Sequence, residues 1–325
     1  MRNRNTLLVL EELIKNQGSF VSGSNLSQKL GITRTAIKKI MDRLANKGYL
    51  IEARTGSGYL LSKLPDYPDS YAVQAILNSM GLSNINYFYF PEIDSTQNEA
   101  LRFLTSKGFK LEPGQHYVFA AGRQTGGKGR MGRSWYSEEG GIWITFVFNQ
   151  TIFVKELPYY PLAAVLAVID FLQGYFGISC KLKWPNDVVY RDRKIAGILT
   201  GGRVEVDIAS QLLIGVGVNV NNELPPELKS RVVTVAEVTG EKQELLSPTV
   251  NLITNLYFGL SNMKPRDVIA RSNQLLWKKN EEGVVTGPSG KKERVLVKKI
   301  SSSGGLIAVV NGERKTIFSA EIDWP

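Results

Sequence analysis

Residues 125–135 read Thr-Gly-Gly-Lys-Gly-Arg-Met-Gly-Arg-Ser-Trp. Four glycines and three cations, with no acid among them, make a segment that can bend closely around a negative group. Two well-known phosphate-binding patterns lie over it. Gly127 to Gly132 fits G-x-G-x-x-G, and Gly122 to Lys128 fits most of a P-loop. Both need a helix directly after the glycines, because the helix N-terminus holds the phosphate. Here Gly140 and Gly141 forbid a long helix, and the next residues, Ile-Trp-Ile-Thr-Phe-Val-Phe, read as a strand. Gly129 also stands where a P-loop needs a Ser or Thr hydroxyl for magnesium. No lone acid closes a strand about twenty positions on, where a ribose ligand belongs. The segment is therefore a strand–loop–strand that holds an anion with backbone amides and Lys128, Arg130 and Arg133.

The surrounding chain agrees. A short helix is expected over Ala72–Met80, a strand over Ile85–Ile93, a helix from Ser95 to Gly108 and a strand over Gln115–Gln124. A long apolar helix follows over 162–177, then strands over 180–190, 193–205 and 210–221. Helices and strands alternate irregularly and at least two hairpins occur, so a doubly wound parallel sheet fits poorly. An α/β (α+β) fold with a mixed, largely antiparallel sheet is expected. Two segments are over-specified for structure alone. Lys183, Trp184, Asn186 and Asp187 surround a proline, and Gly215 and Gly217 interrupt a strand that ends at Asn219. Glycine weakens a strand, so a ligand close to the backbone is the expected reason for the pair.

The first 63 residues carry eleven Lys and Arg against four Asp and Glu, a net +7 of the chain's +10. Leu7, Leu10, Leu13 and Ile14 mark one helix face, Ser24 or Asn25 caps a second helix, and Gly31 makes a turn. Thr33 caps a third helix with Ala36, Ile37, Ile40 and Leu44 inward, and Gly48 ends it. A hairpin around Arg-Thr-Gly-Ser completes a winged helix-turn-helix. The third helix then presents Thr33, Arg34, Thr35, Lys38 and Lys39 to a major groove, and Arg54 in the wing to backbone phosphate. Pro65 and Pro68 mark a linker. The expected domains are 1–63, the linker 64–81, a catalytic domain 82–275 and a small strand-rich domain 276–325.

Cys180 and His116 are the only residues of their kinds, which excludes an internal disulfide and a structural zinc site. A loop or surface place is expected for His116. No run approaches the ~18 uninterrupted apolar residues of a membrane span, and no signal peptide is evident. A reducing cytoplasm and no membrane partner are expected.

Taken together, these segments resemble the biotin protein ligases, in the bifunctional bacterial form that also represses biotin genes. The resemblance rests on Gly-Gly-Lys-Gly-Arg-Met-Gly-Arg-Ser-Trp, on Lys-Trp-Pro-Asn-Asp at 183–187 and on Asp-Arg-Lys-Ile-Ala-Gly-Ile-Leu at 192–199. Gly-Val-Gly-Val-Asn at 215–219 and Asp-Ser-Thr at 94–96 complete it, all in the family's order. Lys128 replaces the usual Arg and loses its bidentate fork, and Gln97 stands where Asn is frequent. The resemblance implies a catalytic domain like that of class II aminoacyl-tRNA synthetases and a C-terminal SH3-like β-barrel. Short strands and Gly-rich turns over 276–325 support the latter independently.

The implied reaction joins biotin to ATP as biotinyl-5′-adenylate, with Mg2+ on the phosphates, then passes biotin to a lysine of a biotin carboxyl carrier protein. Ser95, Thr96, Gln97 and Gln124 match positions around the biotin ring, with Gly127, Gly215 and Gly217 lying against it and Trp135 as an apolar wall. Lys128, Arg130, Arg133 and Lys194 match positions on the carboxylate and adenylate phosphate. Lys183 falls near the triphosphate, Asn186 and Asn219 on the nucleotide, and Asp187 beside the incoming lysine. Arg130, Lys183, Lys194 and Asp187 are the expected catalytic set. A biotin-responsive, ligand-promoted homodimer on operator DNA is also implied. The alternatives are a lipoate or octanoate ligase, or a repressor whose ligase domain has degenerated.

Overall fold

The computed structural model describes residues 4–107, 111–205, 207–287, 292–318 and 320–323. In chain order these form α1 (Arg4–Lys15), α2 (Gly23–Leu30), α3 (Arg34–Ala45), β1 (Leu50–Arg54), β2 (Gly58–Lys63), α4 (Ser70–Ser79) and β3 (Ile85–Ile93). Next come α5 (Thr96–Thr105), β4 (His116–Gln124), β5 (Ile142–Phe148), β6 (Ile152–Phe153), α6 (Tyr159–Phe176), β7 (Lys181–Lys183) and β8 (Asp187–Tyr190). The chain closes with β9 (Arg193–Glu205), β10 (Ile208–Val218), α7 (Val235–Thr239), α8 (Leu246–Ser261) and α9 (Pro265–Leu275). After these come β11 (Glu282–Thr286), β12 (Lys292–Ile300), β13 (Leu306–Val310), β14 (Glu313–Ile317) and β15 (Glu321–Asp323). The expected helix end at Gly108 and the turn at 288–290 lie outside the described residues.

Two compact units emerge: Met1–Tyr89 with Glu244–Val250, and Phe90–Gln243 with Asn251–Pro325. The first is three helices and a two-stranded hairpin, followed by α4. Ser22, not Ser24 or Asn25, caps α2, its hydroxyl oxygen accepting the Ser24 N–H at 3.2 Å. Gly31 takes the left-handed turn at φ 64°. Thr33 caps α3 by accepting the Ala36 N–H at 3.1 Å, so its hydroxyl is already engaged. The buried face of α3 is Ile37, Ile40, Met41 and Leu44, with Ala36 only half-buried. In α1 the buried set is Thr6, Val9, Leu10 and Leu13, a face rotated slightly from the expected one.

The supposed linker is folded. Pro65, Pro68 and Asp69 are buried, and Asp69 caps α4 through the Tyr71 N–H at 3.1 Å. Its carboxylate also accepts the Tyr49 hydroxyl at 2.7 Å and pairs with Lys47 at 2.7 Å. A nearly inaccessible carboxylate persists only when its oxygens are partnered in this way. Ala72, Val73, Ala75 and Leu77 of α4 then pack into the same core, against α1.

The second unit is built on an eight-stranded sheet in the order β3-β4-β5-β10-β9-β8-β7, with β6 also on β10. The pairings of β4 through β10 are antiparallel, as expected. In register, Thr145 of β5 faces Gly215 of β10, which faces Leu199 of β9; Trp143, Gly217 and Gly197 form the next row. Paired residues share a face, so one side of this sheet has a floor of glycines. α6 has the length and apolarity of a membrane span, but eleven of its side chains are buried within the unit, where it packs against α9 and β9. The C-terminal strands form a five-stranded antiparallel sheet in the order β14-β13-β12-β11-β15. His116 is buried, contrary to expectation: it stacks on Phe148 at 5.0 Å and its Nδ1 accepts the Asn149 N–H at 3.2 Å.

Candidate active site

The glycine segment crosses the open face of this floor as a loop with a single 3-10 turn at Arg130–Gly132 and no α-helix. Its two limbs are tied by Trp135 N–H to Gly127 O at 2.9 Å and Gly129 N–H to Arg133 O at 2.7 Å. A Cβ at Gly127 would collide with the Trp135 carbonyl and the Ser137 hydroxyl, so only glycine fits the crossing. The loop's start is fixed by Thr125 N–H to Ile93 O at 2.9 Å and Gly126 N–H to Asp94 O at 2.7 Å.

Beneath the loop is a cavity lined at one end by Ser95, Thr96, Gln97 and Gln124. Lys128, Arg130, Arg133, Lys183, Asn186, Asp187 and Lys194 also line it. Trp135, Leu199, Gly197, Gly215 and Gly217 lie along it, and Ile322 of β15 joins its wall. Residues from α5, the loop, the β7–β8 turn, β9 and β10 thus converge as expected. Two do not line it. Gly127 sits at the loop crossing. Asn219 is buried just past β10, where its side-chain oxygen accepts from Asn222 at 3.2 Å and its N–H donates to Ile195 O at 2.9 Å.

The strand glycines make room for side chains. A Cβ at Gly217 would lie 2.7 Å from Trp135 Nε1, and one at Gly197 would lie 2.7 Å from the same indole ring. A Cβ at Gly215 would lie 2.7 Å from Gln97 Oε1, and one at Gly201 would lie 3.0 Å from its Nε2. Trp135 and Gln97 thus each rest on a pair of glycines from neighbouring strands. Trp135 Nε1 is buried with no hydrogen-bond partner in the protein, a donor that a ligand acceptor could satisfy.

The cations are held in two ways. Lys194 lies 4.6 Å from the Trp135 ring centroid and pairs with Asp187 at 2.8 Å. The loop cations meet neutral amides: Lys128 Nζ donates to Asn98 Oδ1 at 2.6 Å, and Arg130 Nη1 donates to Asn186 Oδ1 at 3.0 Å. An amide oxygen orients a cation without cancelling its charge, so both remain available to a ligand anion. Burial pushes the Arg130 pKa down, the nearby Asp187 opposes this and Arg133 adds to it; a guanidinium so shifted still stays charged. Asn98 is anchored in turn by Asp94 at 2.7 Å, which Arg102 grips with two hydrogen bonds of 2.7 and 3.1 Å. Arg102 holds the Asp94 carboxyl well below the ordinary carboxylate range. Lys183 lies 5.6 Å from the Trp277 ring centroid, and Trp184 Nε1 donates to Gly304 O at 3.1 Å, which seats the β7–β8 turn on the C-terminal sheet.

Asn98, Ser137, Thr145 and Gly197 were not singled out from sequence. Thr145 had a signal, a lone hydroxyl in an otherwise apolar strand; Asn98 had none beyond lying near Asp-Ser-Thr. In the first unit Arg34, Thr35, Lys38, Lys39 and Arg54 are all exposed, with the Arg54 guanidinium 4.6 Å from the Phe20 ring centroid.

Two family models match the chain: the biotin/lipoate A/B protein ligase family over residues 89–219 and a helix-turn-helix domain over residues 5–60. The bifunctional ligase/repressor BirA of Bacillus spizizenii is 34% identical over 238 residues, 72% of this chain and 71% of that protein. BirA of Escherichia coli is 30% identical over 227 residues, 68% of this chain and 65% of that protein. The biotin protein ligase of Aquifex aeolicus, solved in complex with biotin and ATP, superposes with a TM-score of 0.61 at 29% identity, covering 73% of this chain and 97% of that one. The chain belongs to the biotin protein ligase family, in the form that joins a ligase domain to an N-terminal helix-turn-helix domain.

Proposed function

We propose that this chain makes biotinyl-5′-adenylate from biotin and ATP, transfers biotin to a carrier-protein lysine, and represses transcription in response to biotin. One observation carries the ligase reading. A single cavity combines neutral hydrogen-bonding groups, a Trp and glycine channel and five cations, and along β9 and β10 Gln97, Trp135 and Lys194 follow in that order. That order suits a ligand with a polar ring, an apolar chain and an anionic terminus.

In the first step a biotin carboxylate oxygen attacks the α-phosphorus of ATP and pyrophosphate leaves. Negative oxygens crowd together in the transition state, so stabilisation is electrostatic and depends on preorganised charge. Arg130 and Lys128, already oriented by Asn186 and Asn98, supply it together with Arg133. Lys194 binds the carboxylate and later the adenylate phosphate, and Lys183 lies toward the leaving pyrophosphate. Mg2+ bound with ATP would offset the charge of its phosphates. In the second step the carrier lysine's amine attacks the acyl carbon, the bond to the phosphate oxygen breaks and AMP leaves. Asp187, held by Lys194 at 2.8 Å, accepts an N–H of the amine and orients it. The carrier is a biotin carboxyl carrier domain.

Thr33, Arg34, Thr35, Lys38 and Lys39 at the start of α3 and Arg54 in the wing read operator DNA, as a homodimer in the cytoplasm whose assembly the adenylate promotes. Purified protein supplied with labelled ATP, biotin and a biotin carboxyl carrier domain tests the reading. Biotin must pass to the carrier with release of labelled AMP, and lipoate must not. Transfer of lipoate alone, or no pyrophosphate exchange with either acid, would overturn it.

A further inference from the structure

A chain of hydrogen bonds runs beneath the polar end of the cavity, and every link points the same way. Thr145, fully buried on β5, donates its hydroxyl to Thr96 Oγ1 at 2.9 Å. Thr96 donates its own hydroxyl to Gln124 Oε1 at 3.1 Å. Gln124 Nε2 donates to Ser137 Oγ at 2.9 Å, and Ser137 donates to the Trp135 carbonyl at 3.1 Å.

The direction is locked. Gln124 Oε1 also accepts the backbone N–H of Thr96 at 2.9 Å, and a backbone N–H cannot become an acceptor. The amide therefore cannot flip without leaving that N–H facing another donor. Thr145 reinforces this from the opposite end: its hydrogen occupies a lone pair of Thr96, so the Thr96 hydrogen is directed to Gln124. At the far end Ser137 must accept from Gln124, because its own hydrogen goes to a carbonyl that can only accept. The groups facing the cavity inherit a fixed character. Gln124 offers its second amide N–H, a donor, and Thr96 offers an oxygen lone pair and no hydrogen.

We propose that Thr145 and Ser137 are positioning residues that fix the donor–acceptor polarity of this end of the cavity, and so decide which polar ring it accepts. A ring that places an acceptor toward Gln124 and an N–H toward Thr96 is bound; one with those groups exchanged leaves two buried polar pairs mismatched and is rejected. The inference rests on the biotin-ligase reading above.

The test compares Thr145→Val, which keeps the shape and removes the hydroxyl, with Thr145→Ser, which restores it, and with Ser137→Ala at the far end. Pyrophosphate exchange is measured against biotin and against ATP, with 2-iminobiotin as a probe. Its protonated guanidinium offers a donor where biotin has a carbonyl. Thr145→Val is expected to raise KM for biotin about five- to tenfold, the scale of one buried hydrogen bond, with KM for ATP and the melting temperature nearly unchanged. Its preference for biotin over 2-iminobiotin should narrow, Ser137→Ala should narrow it too, and Thr145→Ser should behave as wild type. A wild-type biotin KM in Thr145→Val, or an equal rise for biotin and ATP, overturns the inference. If Thr145→Val does not fold, an unchanged preference in Ser137→Ala overturns it as well. A wild-type protein that exchanges no pyrophosphate with biotin refutes the parent reading instead.

Discussion

Gly217→Ala separates the framework of the cavity from its contents. The new Cβ would sit 2.7, 2.8 and 2.9 Å from three atoms of the Trp135 indole. Something must move by several tenths of an ångström. β10 cannot, because it is bonded along both edges, to β5 through Trp143 and to β9 through Gly197. Trp135 can, since it is only half-buried and its Nε1 is bonded to nothing in the protein. Overpacking a rigid core costs ~1–3 kcal/mol; with a yielding ring the lower end is expected, about 1 kcal/mol. For a unit of roughly 150–250 residues that lowers Tm by about 2–4 °C. Moving the ring also breaks its 4.6 Å contact with Lys194, so pyrophosphate exchange should fall more than stability does. The decisive comparison is a double-mutant cycle with Trp135→Ala, read by thermal unfolding and by exchange. In the Trp135→Ala background Gly217→Ala should cost almost nothing, giving a coupling energy of about 1 kcal/mol. If it costs the same in both backgrounds, the added methyl strains the strand framework itself, and the glycine is not a seat for the tryptophan.

Arg130→Gly should form adenylate more slowly, on the charge of Lys128 and Arg133, and release it, because the Asn186 tether is lost; biotin labelling of bystander lysines should rise, and a mutant that forms and releases nothing would place Arg130 in the first step alone. Lys194→Ala should abolish pyrophosphate exchange while unfolding shifts by no more than ~1 kcal/mol, as expected for a partly exposed ion pair; a large fall in Tm with full activity in the folded fraction refutes this. Burial lowers the His116 pKa from the usual 6.5 to about 4. Between those values the unfolded chain binds the extra proton, so this group's stabilisation is complete above about pH 6.5 and is lost as pH falls toward 4, by at most about 3 kcal/mol. His116→Gln should flatten the dependence of the urea midpoint over that window, and an unchanged slope would exclude the histidine as its source. Deleting residues 1–63 should cause aggregation, because it strips α1 from the buried face of α4. Arg34→Glu with Lys38→Glu should instead abolish operator binding in gel shifts and leave pyrophosphate exchange intact, an outcome that equal operator affinity would refute.

What could be read from sequence was local. Thr33, Gly31 and the spacing of Ile37, Ile40 and Leu44 specify a helix-turn-helix because caps, turns and helical periodicity act within a few residues. Gly140 and Gly141 after the loop excluded a phosphate-binding helix for the same reason. What could not be read depended on register. Gly197 and Gly217 lie twenty residues apart in sequence and become one seat for Trp135 only when β9 and β10 pair. Pro65 and Pro68 are ordinary breakers by composition, yet they lead into a buried acid whose partners, Lys47 and Tyr49, belong to the preceding helix end and hairpin. Asn219 carried a family motif, but that its side-chain oxygen accepts from Asn222 needed the folded chain.

The amide tethers of the loop bear on how the enzyme ages and how it meets acid. A strap built from carboxylates would slacken as the surroundings acidified, since protonation would release Lys128 and Arg130. Amides do not titrate, and the Asp94 beneath them stays ionised well below the usual range, so the loop should keep its seat through moderate acid stress. The same choice creates a chemical weak point. Hydrolysis of Asn98 or Asn186 to aspartate would leave the strap's length unchanged and place a negative charge against a cation needed by the phosphate. One deamidated side chain would thus disable adenylation in a protein that still folds and melts as before.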